Sequence, residues 1–292
     1  MSAGQPKRRL LALDMDGTLL DGDKRITDEV RRALAAYLGQ DGLLTIASGR
    51  FPASVWLHAR ELEMNVPLIA LNGAVMLDQQ TGGLLQGTPI EADSLISLIR
   101  LVQERGAYVH LYGCNELYVE RLNEMNARWP LANVVVIPGR ELTESNYREQ
   151  TSLIRVIPVG DLASFAGSDP RPVYKATVIC DNPGLIDELL DELAVRNAFA
   201  LTRTGRRRFD VNASGVSKRT ALELLCRERG IRPEEVAAIG DYDNDIEMLR
   251  WAGLGIAMGN AEERVKRVAR AVTGSNRENG VARAVWHHLI DH

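Results

Sequence analysis

Short apolar runs of four or five residues recur along the first part of the chain, each ending in small or polar residues. Leu10-Leu11-Ala12-Leu13 follows the charged Lys7-Arg8-Arg9 and gives way to Asp14-Met15-Asp16-Gly17-Thr18-Leu19. Residues 43–47 run apolar into Ser48-Gly49-Arg50, and residues 67–71 run into Asn72-Gly73. Continuous rather than alternating apolar runs of this length predict strands buried on both faces. Between the first two lies a helix predicted over residues 28–38, capped by Thr27 with acids in its first turn. Another predicted helix carries Val55, Leu57 and Leu62. This strand–helix alternation predicts a doubly wound parallel sheet of the α/β class.

The rhythm changes after Gly82-Gly83. Helical patterns at 92–105 and 185–196 are mixed with strand-like tracts at 108–112, 153–159 and 174–180, and with an alternating tract at 199–211. That order predicts an α+β module inserted into the first domain. From Ser217 the α/β rhythm returns, with a helix over 219–229 ending at Gly230 and a strand over 236–239 ending at Gly240-Asp241. The expected division is therefore a Rossmann-like core of residues 1–83 and 212–292, with 84–211 as the insert.

Composition narrows the class without naming an activity. The 292 residues are 45% hydrophobic and 25% charged with a net charge of −4, ordinary for a globular protein and unsuited to a nucleic-acid or anionic-membrane partner. No apolar run approaches the roughly 20 residues of a membrane span. The residues before the first strand leave no room for a signal peptide, so a cytoplasmic location is expected. Cys114, Cys180 and Cys226 are odd in number, far apart and without a CxxC pair, so they read as small hydrophobes rather than a disulfide frame or zinc site. His287, His288 and His292 read as exposed at the end of the last helix, and the four Trp residues as packing groups.

The chemistry sits at the predicted strand ends. Asp14 and Asp16 place two carboxylates two positions apart at the edge where open α/β sheets bind ligands. Such a pair repels unless a cation sits nearby, and a hard, oxygen-coordinated metal ion suits it. Ser48 and Asp241 end two further strands, and Asp243, Asn244 and Asp245 add oxygen donors. Lys218 starts a helix. Acids for a metal, with a hydroxyl and a cation for an anion, make a phosphoryl-transfer inventory. Arg206-Arg207-Arg208 reads equally as an anion clamp or a solvated hairpin.

Asp14-x-Asp16-Gly17-Thr18-Leu19, Ser48-Gly49-Arg50, Gly215-x-Ser217-Lys218 and Gly240-Asp241-x-x-Asn244-Asp245 resemble, in order, the four motifs of the haloacid dehalogenase superfamily. Met258-Gly259-Asn260-Ala261 and Asn279-Gly280-Val281-Ala282 resemble its Cof-type branch, whose type IIB cap lies between the second and third motifs. The resemblance implies a phosphatase in which Asp14 is the nucleophile and Asp16 the proton donor and later base. It implies Mg²⁺ held by the Asp14 carboxylate, the Asp16 backbone carbonyl and Asp241, with Asn244 or Asp245 in support. It places phosphate and substrate contacts at Thr18, Ser48, Gly49, Arg50, Asn72 and Lys218. Arg219, Tyr242 and the stretch Val211-Asn212-Ala213-Ser214 depart from the usual pattern. Small phosphorylated metabolites, sugar phosphates first, are the expected substrates. A phosphomutase of the phosphomannomutase type and a non-catalytic phosphosugar-binding protein are the alternatives.

Overall fold

The computed structural model describes residues 9–130 and 153–290. Strand β1 (Leu10–Leu13) lies at the heart of a parallel sheet, between β2 (Leu43–Ile46) and β12 (Val236–Gly240). Leu10 is level with Leu43 on one side and Val236 on the other. Beyond β12 come β13 (Leu254–Ala257) and β14 (Ala271–Val272), giving the order β14-β13-β12-β1-β2.

Alternation along β1 explains why the run is apolar throughout. Leu11 and Leu13 join one apolar cluster, Leu10 and Ala12 the other, and all four are wholly buried. Each buried Leu contributes about 1.5–3 kcal/mol. Helix α1 (Asp28–Leu38) and helix α8 (Gly280–His288) cover the first face; α6 (Lys218–Glu228) and α7 (Ile246–Trp251) cover the second. As predicted, Thr27 caps α1, its Oγ1 accepting from Val30 N–H at 3.3 Å, and Val30, Ala33, Leu34 and Tyr37 form the buried stripe.

The third predicted strand behaves differently from expectation. β3 (Leu68–Ala70) meets the parallel sheet through the Ala47–Ile69 bridge and pairs antiparallel with β4 (Val75–Leu77), which pairs with β5 (Leu84–Gly87). Gly82-Gly83 lies in the turn of the β4–β5 hairpin, and residues 84–87 pair with β4. The glycines punctuate a hairpin there.

The intervening chain builds a second sheet from β6 (Tyr108–Tyr112), β7 (Glu116–Val119), β8 (Arg155–Pro158), β9 (Lys175–Ile179), β10 (Phe199–Gly205) and β11 (Arg208–Ala213), in the order β10-β11-β9-β6-β7-β8. Only β7–β8 pair in parallel among these. Helices α3 (Ala92–Glu104), α4 (Leu162–Ser168) and α5 (Pro183–Val195) contribute to its apolar cluster. The two-residue period then sorts the side chains. Val109, Leu111, Ala176, Val178, Phe209 and Val211 join that cluster. Their neighbours His110, Tyr112, Lys175, Thr177, Asp210 and Asn212 lie on the opposite face, buried and polar apart from the Tyr112 ring.

Two buried histidines give this fold a pH signature. His58 Nδ1 donates to the Ser54 carbonyl at 2.8 Å, and burial, aided by Arg50, pushes its pKa down to about 3. Burial and then Lys175 likewise push His110 down to about 3. In the unfolded chain both titrate near 6.5. Between those values the unfolded state binds more protons, so stability is present above pH 6.5 and is lost as pH falls. The steepest loss is about 1.4 kcal/mol per pH unit for each histidine. Urea denaturation between pH 7 and pH 5 should show this decline, and His58→Gln should flatten it; an unchanged slope in that variant contradicts the assignment.

Candidate active site

The ends of β1, β2, β3 and β12 converge, and each delivers a residue expected from the sequence. Asp14 N–H donates to the Ile239 carbonyl at 3.0 Å, tying the end of β1 to β12. The chain then turns through Gly17 at φ +79°, where a Cβ would stand 2.2 Å from Asp241 Oδ2. Any side chain there would collide with the carboxylate that the turn is folded around. Thr18 Oγ1 donates to Asp241 Oδ1 at 3.1 Å, and Asn260 Nδ2 reaches its other oxygen at 3.3 Å while bonding the Gly17 carbonyl at 2.9 Å. Thr18 thus orients Asp241.

Lys218 lies at the first position of α6, behind the N-cap Ser217, with its side chain fully buried. Its Nζ donates to Asp14 at 2.5 Å and to Asp245 Oδ1 at 2.7 Å. Burial opposes the ammonium charge, but the two carboxylates outweigh it and raise the Lys218 pKa. Asp14 is raised well above the usual carboxylate range by burial and then by repulsion from Asp245. Asp241 is pushed up to about 6 by the same two causes. The common origin is a surplus of negative charge: Asp14 and Asp245 hold one ammonium, and Asp241 adds a third carboxylate, with an oxygen of each within 4.8 Å of the others.

That cluster fits a hard divalent cation, which would bind carboxylate oxygens and neutralise the surplus. Asp245 differs from the other two acids. Its Oδ1 takes Lys218, and its Oδ2 accepts the backbone N–H groups of Asp241 at 3.0 Å and Tyr242 at 3.1 Å. Both oxygens already hold the β12 loop and the lysine in place.

Asp16 points elsewhere. Arg50 grips it with Nε and Nη2, each at 2.7 Å, and Lys24 Nζ adds a third bond at 2.9 Å. Burial would raise its pKa, but these cations overcome that and hold the carboxylate well below the usual range. Ser48 accepts the Arg50 N–H at 3.2 Å. Asn72 adopts the left-handed region at φ +61°, and the following Gly73, at φ +104°, passes so close to α6 that a Cβ would lie 2.2 Å from the Ser217 carbonyl.

The polar face of the six-stranded sheet docks here. Asn72 Nδ2 donates to Asp210 at 3.1 Å and to Asn212 at 3.3 Å, while its Oδ1 accepts from Asn244 at 3.1 Å. Lys175 Nζ donates to the Gly49 carbonyl at 2.8 Å and to Asp210 at 3.0 Å, and Thr177 donates to the other Asp210 oxygen at 2.7 Å. Asn212, flagged in the sequence only as a departure, bonds the Leu71 and Tyr174 carbonyls.

A cavity of about 380 Å³ opens between the two sheets. Asp14, Asp16, Ser48, Gly49, Arg50, Asn72, Asp241 and Asn244 line one side, and Tyr112, Lys175, Thr177, Arg208 and Asp210 the other. Thr18, Lys218 and Asp245 stand just behind it. Sequence reasoning did not single out Lys24, Lys175 or Asp210. The last two carried a signal, since they fall on the odd-polar positions of otherwise apolar alternating strands. Of the histidines read as exposed, His287 and His288 are so; His292 lies outside the described residues.

With this geometry in place, the comparisons identify the class. The sequence profile of haloacid dehalogenase-like hydrolases matches residues 11–285. The 5-amino-6-(5-phospho-D-ribitylamino)uracil phosphatase YcsE of Bacillus subtilis is 28% identical, covering 97% of this chain and 96% of its own. The pyridoxal phosphate phosphatase YbhA of Escherichia coli is also 28% identical, covering 97% and 99%. A solved haloacid dehalogenase-like hydrolase from B. subtilis superposes with a TM-score of 0.82 at 26% identity, over 96% of this chain and all of that one. The chain belongs to the haloacid dehalogenase-like hydrolases, in their Cof-type phosphatase branch. It is a phosphoric monoester hydrolase. No helix among the described residues is long and apolar enough to cross a membrane.

Removing the ammonium should be costly. Lys218→Met leaves Asp14 and Asp245 buried without their cation, and an unfolding free energy lower by about 3–5 kcal/mol is expected. Chemical denaturation at pH 7 measures it; a midpoint equal to wild type would contradict the buried triad.

Proposed function

We propose that the protein is a Mg²⁺-dependent phosphatase of small phosphorylated metabolites, with sugar phosphates the favoured class, acting through an aspartyl-phosphate on Asp14. The observation that carries this reading is the Asp14–Lys218–Asp245 triad beside Asp241, with Asp14 and Asp241 lining the cavity. Lys218 holds Asp14 Oδ1, and the other carboxylate oxygen of Asp14 would attack phosphorus in line. Asp14 and Asp241 would hold Mg²⁺ with the Asp16 carbonyl, and Asn244 and Asp245 would steady them. The cation would supply charge neutralisation for the incoming phosphoryl oxygens. Ser48, the Gly49 turn and Lys218 stabilise charge on the transferring group, and Asn72 fixes the wall beside it.

Asp16 protonates the departing alkoxide and then takes the proton of the attacking water. Arg50 and Lys24 hold it as an anion, so this role requires the arginine fork to release it when substrate enters. The chain between Gly87 and Ser214 serves as the cap, and residues before and after it as the core. The cavity falls within the roughly 300–1,000 Å³ of small-molecule sites. Its polar wall of Lys175, Thr177 and Asp210 suits a hydroxylated leaving group.

Asp14→Asn should lower kcat by a factor on the order of 10³ or more while the protein stays folded. Mg²⁺ should raise the melting temperature of the wild-type protein but not of Asp241→Asn, a readout independent of turnover. Chelation should abolish phosphate release, and full activity in chelator would refute the metal requirement.

A further inference from the structure

The Arg206-Arg207-Arg208 run is divided by the β10–β11 hairpin. Arg206 and Arg207 form its turn, and Arg207 reaches Asp181 at 3.4 Å. Arg208, the first residue of β11, lines the cavity. Its Nε donates to the Thr204 carbonyl at 3.2 Å, and its guanidinium carbon lies 5.9 Å from the centre of the Trp129 ring. One side of the guanidinium is thereby tethered, and the two terminal nitrogens remain for a ligand.

Each other cation on the cavity wall already faces a carboxylate. Lys24 and Arg50 hold Asp16, and Lys175 holds Asp210. Arg208 is the wall cation that has no carboxylate partner among the described residues. Beside it, Thr204 on β10 lines the same cavity, and its buried Oγ1 has no hydrogen-bond partner among the described residues. A buried hydroxyl left unpaired is costly, so a ligand that satisfies it gains affinity. β10 also packs on the turn at Asp243–Asp245, which holds this hairpin against the loop carrying Asp241.

We propose that Arg208 and Thr204 form a subsite for a second oxyanion, borne by the leaving group of the substrate. The preferred esters are then phosphate monoesters whose alcohol also carries a carboxylate or a second phosphate. The inference rests on the phosphatase reading above and adds the chemistry of the far end of the substrate. A guanidinium edge and a hydroxyl together match two oxygens of such a group.

The test compares kcat/KM for three esters built on a six-carbon sugar skeleton: 6-phosphogluconate, glucose 1,6-bisphosphate and glucose 6-phosphate. Wild-type enzyme should favour one or both of the first two, and whichever it favours identifies the oxyanion as carboxylate or phosphate. Arg208→Gln should lower the ratio of that ester to glucose 6-phosphate by about tenfold or more, the scale of one charge-assisted hydrogen bond. Arg208→Lys should recover part of it, and Thr204→Val should lower it less. A wild-type ratio of one or below, or a ratio unmoved by Arg208→Gln, overturns this subsite alone. Wild-type protein that releases phosphate from none of the three overturns the phosphatase reading, and the subsite falls with it.

Discussion

The buried ammonium of Lys218, held between Asp14 and Asp245, is the contact on which the site depends. It joins three separate stretches of chain: the end of β1, the start of α6 and the loop after β12. Asp245 passes the constraint on through its second oxygen, which fixes the backbone of Asp241 and Tyr242. One lysine thus sets the positions of two carboxylates that would otherwise repel each other. It also leaves them with a negative surplus suited to a divalent cation. A buried pair of this kind gives little net stability against an apolar replacement, and its value lies in fixing geometry.

A second constraint links the core to the sheet above it. Asn72, strained into a left-handed conformation, is bonded at once to Asp210, Asn212 and Asn244. Lys175 bonds both Asp210 and the Gly49 carbonyl. The cavity wall formed by the second sheet is therefore tied to the turn presenting Ser48 and to the loop carrying Asn244. The two walls of the cavity share one buried hydrogen-bond network.

Much of this was legible in the chain. A continuous apolar run buried on both faces can only end at the sheet edge, so Asp14, Ser48 and Asp241 were placed by their strands before any geometry was known. Lys218 followed from its position at a helix start. The β4–β5 hairpin was hidden because Gly82-Gly83 marks a turn as readily as a module boundary. Asp210 and Lys175 were hidden because their meeting is fixed by the β9–β11 register, which pairs Asp210 with Thr177 and which no local pattern encodes. The grip of Arg50 and Lys24 on Asp16 depends on side-chain reach across loops. The arginine run could be divided only once the hairpin turn was located.

In the proposed mechanism Asp14 itself carries the phosphoryl group. Acyl phosphates are reduced by borohydride, whereas free carboxylates are not, so turnover quenched into borohydride marks the attacking residue. Peptide mass spectrometry of protein quenched during hydrolysis of a phosphate ester should find the side chain at position 14 reduced to the homoserine alcohol, with Asp16 and Asp241 unaltered. Reduction at another carboxylate, or at none while phosphate is being released, would contradict it.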